Sequence, residues 1–242
     1  MHTKLSVNIN KIALLRNSRG SNIPDVLQFA KDAIRYGAEG ITIHPREDER
    51  HIKRVDAFDL GAFLPTDVCE YNIEGYPSAE FIKMVCKIKP TQVTLVPDLP
   101  DALTSSEGWD TIQQEHFLKD IIQELKSHNL RVALFMETDF KKLEKAKQIG
   151  ADRIEFYTGQ YAEDFADNKE RAIKPFESAA LFCSEIGIGV NAGHDLNLDN
   201  LKYFKQHVPN LLEVSIGHAL VRDCLYLGLE NVIPMYKRLL ND

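Results

Sequence analysis

The sequence predicts an α/β protein of the (β/α)8 TIM-barrel class, with residues 1–242 forming one domain. Three observations carry that expectation. Short β-branched, apolar runs alternate with longer amphipathic segments from one end of the chain to the other. Eight such runs occur within 242 residues, close to the ~250 that eight strand–helix units typically occupy. No linker or low-complexity stretch divides the chain.

The predicted strands are Leu5–Asn10, Gly40–Pro45, Cys69–Glu74, Gln92–Asp98, Arg131–Thr138, Arg153–Gly159, Gly187–Gly193 and Leu211–His218. Several are near-continuous apolar runs, as in a parallel sheet covered on both faces. Helical spacing fills the gaps. In 25–36, Val26, Ala30, Ala33 and Gly37 recur at i, i+4, i+7 and i+11, with Pro24 tolerable at the helix start. In 139–149, Phe140, Leu143, Ala146 and Ile149 form one stripe behind Asp139, a suitable N-cap. The stretch around Tyr226–Leu240 reads as a carboxyl-terminal helix, apolar enough for a subunit interface or for ordinary barrel packing. A weak repeat supports the strand–helix units. Tyr36-Gly37-Ala38-Glu39-Gly40-Ile41 resembles Ile149-Gly150-Ala151-Asp152-Arg153-Ile154, and Ile186-Gly187-Ile188-Gly189-Val190 is a looser copy. In each, a glycine ends a helix in the left-handed conformation and the next strand follows directly.

Composition narrows the function. With 29 Lys+Arg against 36 Asp+Glu the net charge is −7, which argues against a general nucleic-acid binder. No apolar run approaches the ~20 residues of a membrane span, and the amino terminus enters a strand-like pattern without a signal-type leader. Cys69, Cys86, Cys183 and Cys224 lie far apart with no CxxC pair, so buried free thiols and a cytoplasmic location are expected.

In such a barrel, catalytic groups sit at the carboxyl ends of the strands. Polar residues collect there: Asn8 and Asn10, His44 and Arg46, Glu74, Glu155 with Tyr157, Asn191-Ala192-Gly193-His194, and Gly217-His218. Of the eight histidines, His44, His51, His194 and His218 lie in or beside these ends, and imidazole suits proton transfer near neutral pH. Glu74 closes an apolar strand and is either a solvated loop carboxylate or a general base raised by burial. Glu155, flanked by Ile154 and Phe156, faces the barrel interior as part of an ion pair or a ligand site. The arginines of Asn17–Ser21 and Arg46–His51 suit either plain solvation or a bidentate phosphate contact. Gly193 and Gly217 end strands where barrels commonly hold phosphate.

Seven ordered stretches together resemble the pyridoxine 5′-phosphate synthase family, over about Leu5 to Leu240. They are Val7–Ala13 with Leu15–Gly20, Gly40–Ile52, Asn72–Glu74, Leu95–Asp98, Ile154–Gly159, Val190–His194 and Ser215–Ala219. The resemblance implies joining of 1-deoxy-D-xylulose 5-phosphate to 3-amino-2-oxopropyl phosphate, giving pyridoxine 5′-phosphate, phosphate and water. It implies no metal, no organic cofactor and a homo-octamer built from dimers. It makes His44 and Glu74 proton acceptors, His194 the proton donor and Glu155 a transition-state stabiliser. Asn8, Arg19, Gly217 and His218 match contacts to the aminoketone phosphate, while Arg46, His51 and Thr104 match contacts to the deoxyxylulose phosphate. Asn10, Lys11 and Asp195 fall at substrate-binding positions where many members carry Asp, His and Gly, and Tyr157 stands where many carry His. Two competing functions are a metal-dependent hydrolase using His44, His194, His218 and Glu155, and a barrel that only binds sugar phosphates.

Overall fold

Eight strands close into one all-parallel barrel, neighbours in chain order, with the last strand pairing back on the first. The computed structural model describes residues 2–64, 68–98 and 107–241. The first half comprises β1 (Lys4–Asn8), α1 (Asn10–Asn17), α2 (Val26–Arg35), β2 (Gly40–Ile43), α3 (Arg54–Phe63), β3 (Glu70–Gly75), α4 (Ala79–Ile88) and β4 (Gln92–Leu95). Next come α5 (Glu115–Ser127), β5 (Arg131–Met136), α6 (Phe140–Gln148), β6 (Arg153–Tyr157), α7 (Gly159–Phe165) and α8 (Lys169–Ile186). The chain finishes with β7 (Gly189–Gly193), α9 (Leu201–His207), β8 (Leu211–Ile216), α10 (His218–Leu227) and α11 (Leu229–Asn241).

All eight predicted strands exist, but most are shorter at their carboxyl ends than their apolar patterns suggest. Asn10 opens α1 instead of extending β1, because the Asn8 side chain accepts the Asn10 N–H at 3.1 Å and turns the chain. His218 opens α10 rather than ending β8. Asp25 and Asp139 cap α2 and α6 through side-chain bonds to backbone N–H groups. Gly37, Gly150 and Gly187 take positive φ where helices hand over to strands. The carboxyl-terminal stretch differs from its expected single helix: Gly228, at φ +78, breaks it into α10 and α11. The apolar face of α11 (Val232, Ile233, Tyr236 and Leu240) is buried, and the helix packs beside α2, α9 and β1. Cys69 and Cys183 are buried free thiols, whereas Cys86 and Cys224 are only half-buried.

The apolar core lies between the strands and the helices; the inside of the barrel is polar. Ser6, Thr42, Asn72, Gln92, Thr94, Asn191, Glu213 and Ser215 are all buried there. A buried polar group must be hydrogen-bonded or it costs its desolvation energy. Ser6 Oγ and Thr42 Oγ1 meet at 2.7 Å, and Asn191 Nδ2 lies 3.4 Å from both Gln92 Oε1 and Glu213 Oε1. At the amino-terminal end, Glu70 gathers Lys4 at 2.5 Å, Arg131, and Arg153 at 3.8 Å. Burial pushes the Glu70 carboxyl up, but hydrogen bonds from Lys4 and Arg131 and the charges of Arg131 and Arg153 overcome it and hold it at about 2.

Glu70→Gln removes the anion and leaves these cations facing one another. The expected loss at neutral pH is on the order of 2–3 kcal/mol, less than for a fully buried pair because Lys4 and Arg131 keep some solvent. A carboxyl depressed in the folded state stabilises fully above its ordinary value of 4.5 and ceases to do so as pH falls through about 2. Urea unfolding of the two proteins should therefore differ at pH 7 and converge between those limits.

Candidate active site

The carboxyl ends of the strands open into a cavity of about 510 Å³. Twelve of the fourteen residues singled out in the sequence line it: Asn8, Asn10, Lys11, His44, Arg46, His51, Glu74, Glu155, His194, Asp195, Gly217 and His218. Arg19 is not among the lining residues; it is exposed in the turn after α1. Thr104 lies outside the described residues. Arg50, Leu14, Val96, Phe135 and Ser215 also line the cavity. Arg50 escapes sequence reading because its run of charges, Glu47–Arg50, has the look of a solvated face.

Each wall is built from its strand end. On the β1 side, Asn10 Oδ1 accepts the His44 backbone N–H at 2.9 Å, so this side chain braces the end of β2. Gly217 permits close approach of Asn8: a Cβ there would sit 3.2–3.3 Å from the Asn8 side chain. Arg46 is nearly buried and bound to Asp98 at 2.6 Å, which fixes its guanidinium at the rim. The loop carrying His51 is held by α1. Arg16 forms a two-pronged bond to Asp56 (2.6 and 2.8 Å) and donates to His51 O at 3.2 Å, while Asn17 Nδ2 donates to His51 O at 2.8 Å. Neither support was assigned a role from sequence, although both lie in a stretch that carries the resemblance.

At the end of β6, Glu155 points inward and is 3 % exposed. Its Oε1 occupies the space that a Cβ on Gly193 would need, at 2.3 Å, so any side chain at position 193 would displace this carboxyl. His194 and Asp195 follow at φ +85 and +56, a conformation that costs of order 1–3 kcal/mol for a side-chain-bearing residue. The Thr158 hydroxyl bonds to Gly193 O at 2.7 Å and to His194 O, and Asn200 Nδ2 donates to Asp195 O at 3.2 Å, so the loop is over-determined. Glycine would adopt φ +56 without strain. Here the Asp195 carboxylate meets His194 Nδ1 at 3.1 Å, and that contact holds its pKa down. Tyr157 packs edge-on against the His194 ring at 5.2 Å.

Burial and charge set the protonation states. His44 is pushed well below the usual imidazole range by burial, then by Arg46, His51 and Arg50. His51 falls to about 4 through burial and Arg46, and its Nδ1 accepts the Ile52 N–H at 2.9 Å, leaving its proton on Nε2. Both rings are neutral near pH 7. Glu74, half-buried, is pushed well above the ordinary carboxylate value by burial, then by Glu155, Asp98 and Glu213, with Arg46 opposing. Glu155 rises to about 8 through burial and Glu213. The arrangement offers neutral bases and proton-bearing acids side by side, within reach of cationic rim residues. Among the described residues no three His, Cys, Asp or Glu side chains are grouped to hold a metal ion.

Comparisons with known proteins agree with this architecture. A family model for the pyridoxal phosphate biosynthesis protein PdxJ matches residues 5–242. The pyridoxine 5′-phosphate synthase of Flavobacterium johnsoniae is 54% identical over 234 residues, covering 97% of this chain and 98% of its own. That of Cytophaga hutchinsonii is 55% identical over 236 residues, 98% of each chain. Among solved structures, 3-keto-L-gulonate-6-phosphate decarboxylase from Vibrio cholerae superposes with a TM-score of 0.69 at 8% identity, over 100% of this chain and 98% of its own. That last likeness concerns the barrel fold alone. With a match along nearly its whole length and relatives above half identity, the chain belongs to the PdxJ family of pyridoxal phosphate biosynthesis proteins.

Proposed function

We propose that this chain is a pyridoxine 5′-phosphate synthase, condensing 1-deoxy-D-xylulose 5-phosphate with 3-amino-2-oxopropyl phosphate to give pyridoxine 5′-phosphate, phosphate and water. The observation that carries this reading is the convergence of His44, Glu74, Glu155 and His194 on one cavity of about 510 Å³. That volume lies within the range of small-molecule sites. Joining an amine to a ketone, eliminating phosphate and water, and aromatising the ring all demand repeated proton transfer. Neutral His44 accepts protons, Glu74 accepts them in its ionised form, and Glu155 and His194 donate them. Phosphate is anchored at two places. Arg46 and His51 hold one, and the start of α10 at Gly217-His218, where backbone N–H groups are unpaired within the helix, holds the other with Asn8. Lys11 and Arg50 add positive charge to the rim.

The four free cysteines support a cytoplasmic setting. The exposed Leu225, Tyr226 and Leu227 at the end of α10 support assembly into the family's homo-octamer. Light scattering should then give a mass near eight chains; a monomer at micromolar concentration would contradict it.

Purified protein mixed with the two phosphorylated substrates should yield the pyridine product, detected by its absorbance and mass. Absence of product from folded protein would remove the assignment. Glu74→Gln keeps shape and hydrogen bonding but cannot take a proton. Its kcat should fall by roughly 10²–10⁴-fold, with substrate dissociation constants and Tm nearly unchanged. Turnover within a few-fold of the parent would mean that Glu74 is only a solvated rim carboxylate.

A further inference from the structure

Three carboxyls line the cavity among the described residues: Glu74, Glu155 and Asp195. Two are pushed toward the neutral form, whereas Asp195 is held ionised by its hydrogen bond to His194, against burial, and by the charges of His194, His218 and Lys11. An anion in a cavity that must take two phosphorylated substrates opposes their binding. At φ +56 it also carries backbone strain that glycine would not. Against both stands one contact: Asp195 Oδ2 lies 3.1 Å from Nδ1 of His194, the residue before it. Neighbours along an extended strand point to opposite faces and cannot meet in this way. β7 ends at Gly193, and the successive left-handed residues His194 (φ +85) and Asp195 turn the second side chain back onto the first.

The hydrogen in this contact can be assigned. An ionised carboxylate only accepts, so the hydrogen belongs to His194 Nδ1. A proton exchanged by the ring then passes through its other nitrogen, Nε2. The ring plane is set as well. Tyr157 packs against it at 5.2 Å and 73°, Phe135 at 6.4 Å and 61°, and the Tyr157 and Phe135 rings stand 5.7 Å apart. Asn197 and Asn200 both donate to Asp195 O, at 3.4 and 3.2 Å, which fixes the backbone beneath the carboxylate. We propose that Asp195 is a positioning residue for His194: it keeps a hydrogen on Nδ1 and confines the exchangeable proton of the ring to Nε2, without touching substrate. The inference rests on His194 serving the ring-forming reaction.

This arrangement has a use in repeated proton transfer. When Nε2 protonates a hydroxyl, the carbon–oxygen bond breaks, its electron pair stays with oxygen and water leaves. The ring passes from cation to neutral and keeps its Nδ1 hydrogen on Asp195. Nε2 is then the basic atom and takes up the next proton without a turn of the ring. A neutral ring with its hydrogen on Nε2 could not be reloaded at that atom.

Nitrogen-15 NMR of the intact, substrate-free protein with labelled histidine tests the inference, the His194 signals being those that His194→Gln removes. At alkaline pH the parent should show hydrogen on Nδ1 and an unprotonated Nε2. In Asp195→Gly and Asp195→Ala the hydrogen should move at least partly to Nε2. In both, kcat should fall by roughly 10–100-fold, as when the carboxylate behind a metal-ligating histidine is removed. KM for both substrates should stay level or fall, because an anion has left the cavity. The Tm of Asp195→Gly should not drop, since the strained position is relieved. Hydrogen on Nε2 in the parent, or a tautomer unmoved in the variants, would overturn the inference. So would a raised KM with kcat unchanged, which would make Asp195 a substrate contact, and so would a kcat loss in Asp195→Gly alone, which would point to a loosened loop. The tautomer is read without turnover. A parent that makes no product but holds hydrogen on Nδ1 would sink the proposed reaction and leave the hold of Asp195 on His194 standing.

Discussion

Four glutamates share the inside of one barrel, and the supply of cations decides what each becomes. At the amino-terminal end, Glu70 has Lys4, Arg131 and Arg153 around it and stays ionised. Further along, Glu213 meets Asn191 through one oxygen and, among the described residues, has no hydrogen-bond partner on the other, and burial and the charge of Glu70 raise it to about 7. Glu155 and Glu74 rise as well, with no ion pair of their own among the described residues. Burial penalises a charge everywhere in this column, so ionisation survives only where arginine and lysine offset it. The barrel thus grades from a structural ion cluster at one end to proton-holding carboxyls at the other. The chemistry sits at the end without cations beneath it.

The strand–helix order and the position of the site were legible because period and rim location are local properties of the sequence. Asp139 announces its helix by residue type, and His44, Glu74 and His194 announce the rim by ending apolar runs. What stayed hidden depends on contacts between distant segments. Nothing local distinguishes Arg16 from any helix arginine until Asp56 closes on it, forty residues later. Asn10 was expected at a substrate-binding position and it lines the cavity, but the bond from the His44 amide to its oxygen joins segments too far apart to be read from sequence. Arg19 was expected at a phosphate, and it stands exposed in the turn after α1, outside the cavity lining. The polar filling of the barrel was visible in Thr42, Asn72, Thr94 and Asn191, but their alternation reads as strand pattern, not as a network.

The supports of the rim share one design. Each reactive side chain stands on a strand end, and each loop beyond it is tied by bonds that do not touch the cavity. Arg16 and Asn17 secure His51, Thr158 and Asn200 secure His194 and Asp195, and Asp98 secures Arg46. The positive φ values of His194 and Asp195 can persist because these ties outweigh the strain. Positioning to fractions of an ångström is what proton transfer requires, and side chains on unsupported loops would not deliver it.

Charge at the rim and charge in the interior then work together. Two phosphorylated substrates bring four negative charges, or nearly so, into one cavity. Arg46, Arg50 and Lys11 meet them at its lining. An ionised Glu155 and Glu74 close by would oppose that binding, and would also repel each other. Holding Glu155 protonated removes both repulsions and leaves one proton where the condensation consumes it, while Glu74 takes one up when it ionises. Arg46 cannot be freed to neutralise Glu74, because Asp98 already occupies it at 2.6 Å. The buried Arg46–Asp98 pair therefore does two things: it keeps a cation at the rim for phosphate, and it keeps that cation from ionising the base below it too early. A barrel filled with aliphatic side chains would fold as well, but it would have no means of storing those protons.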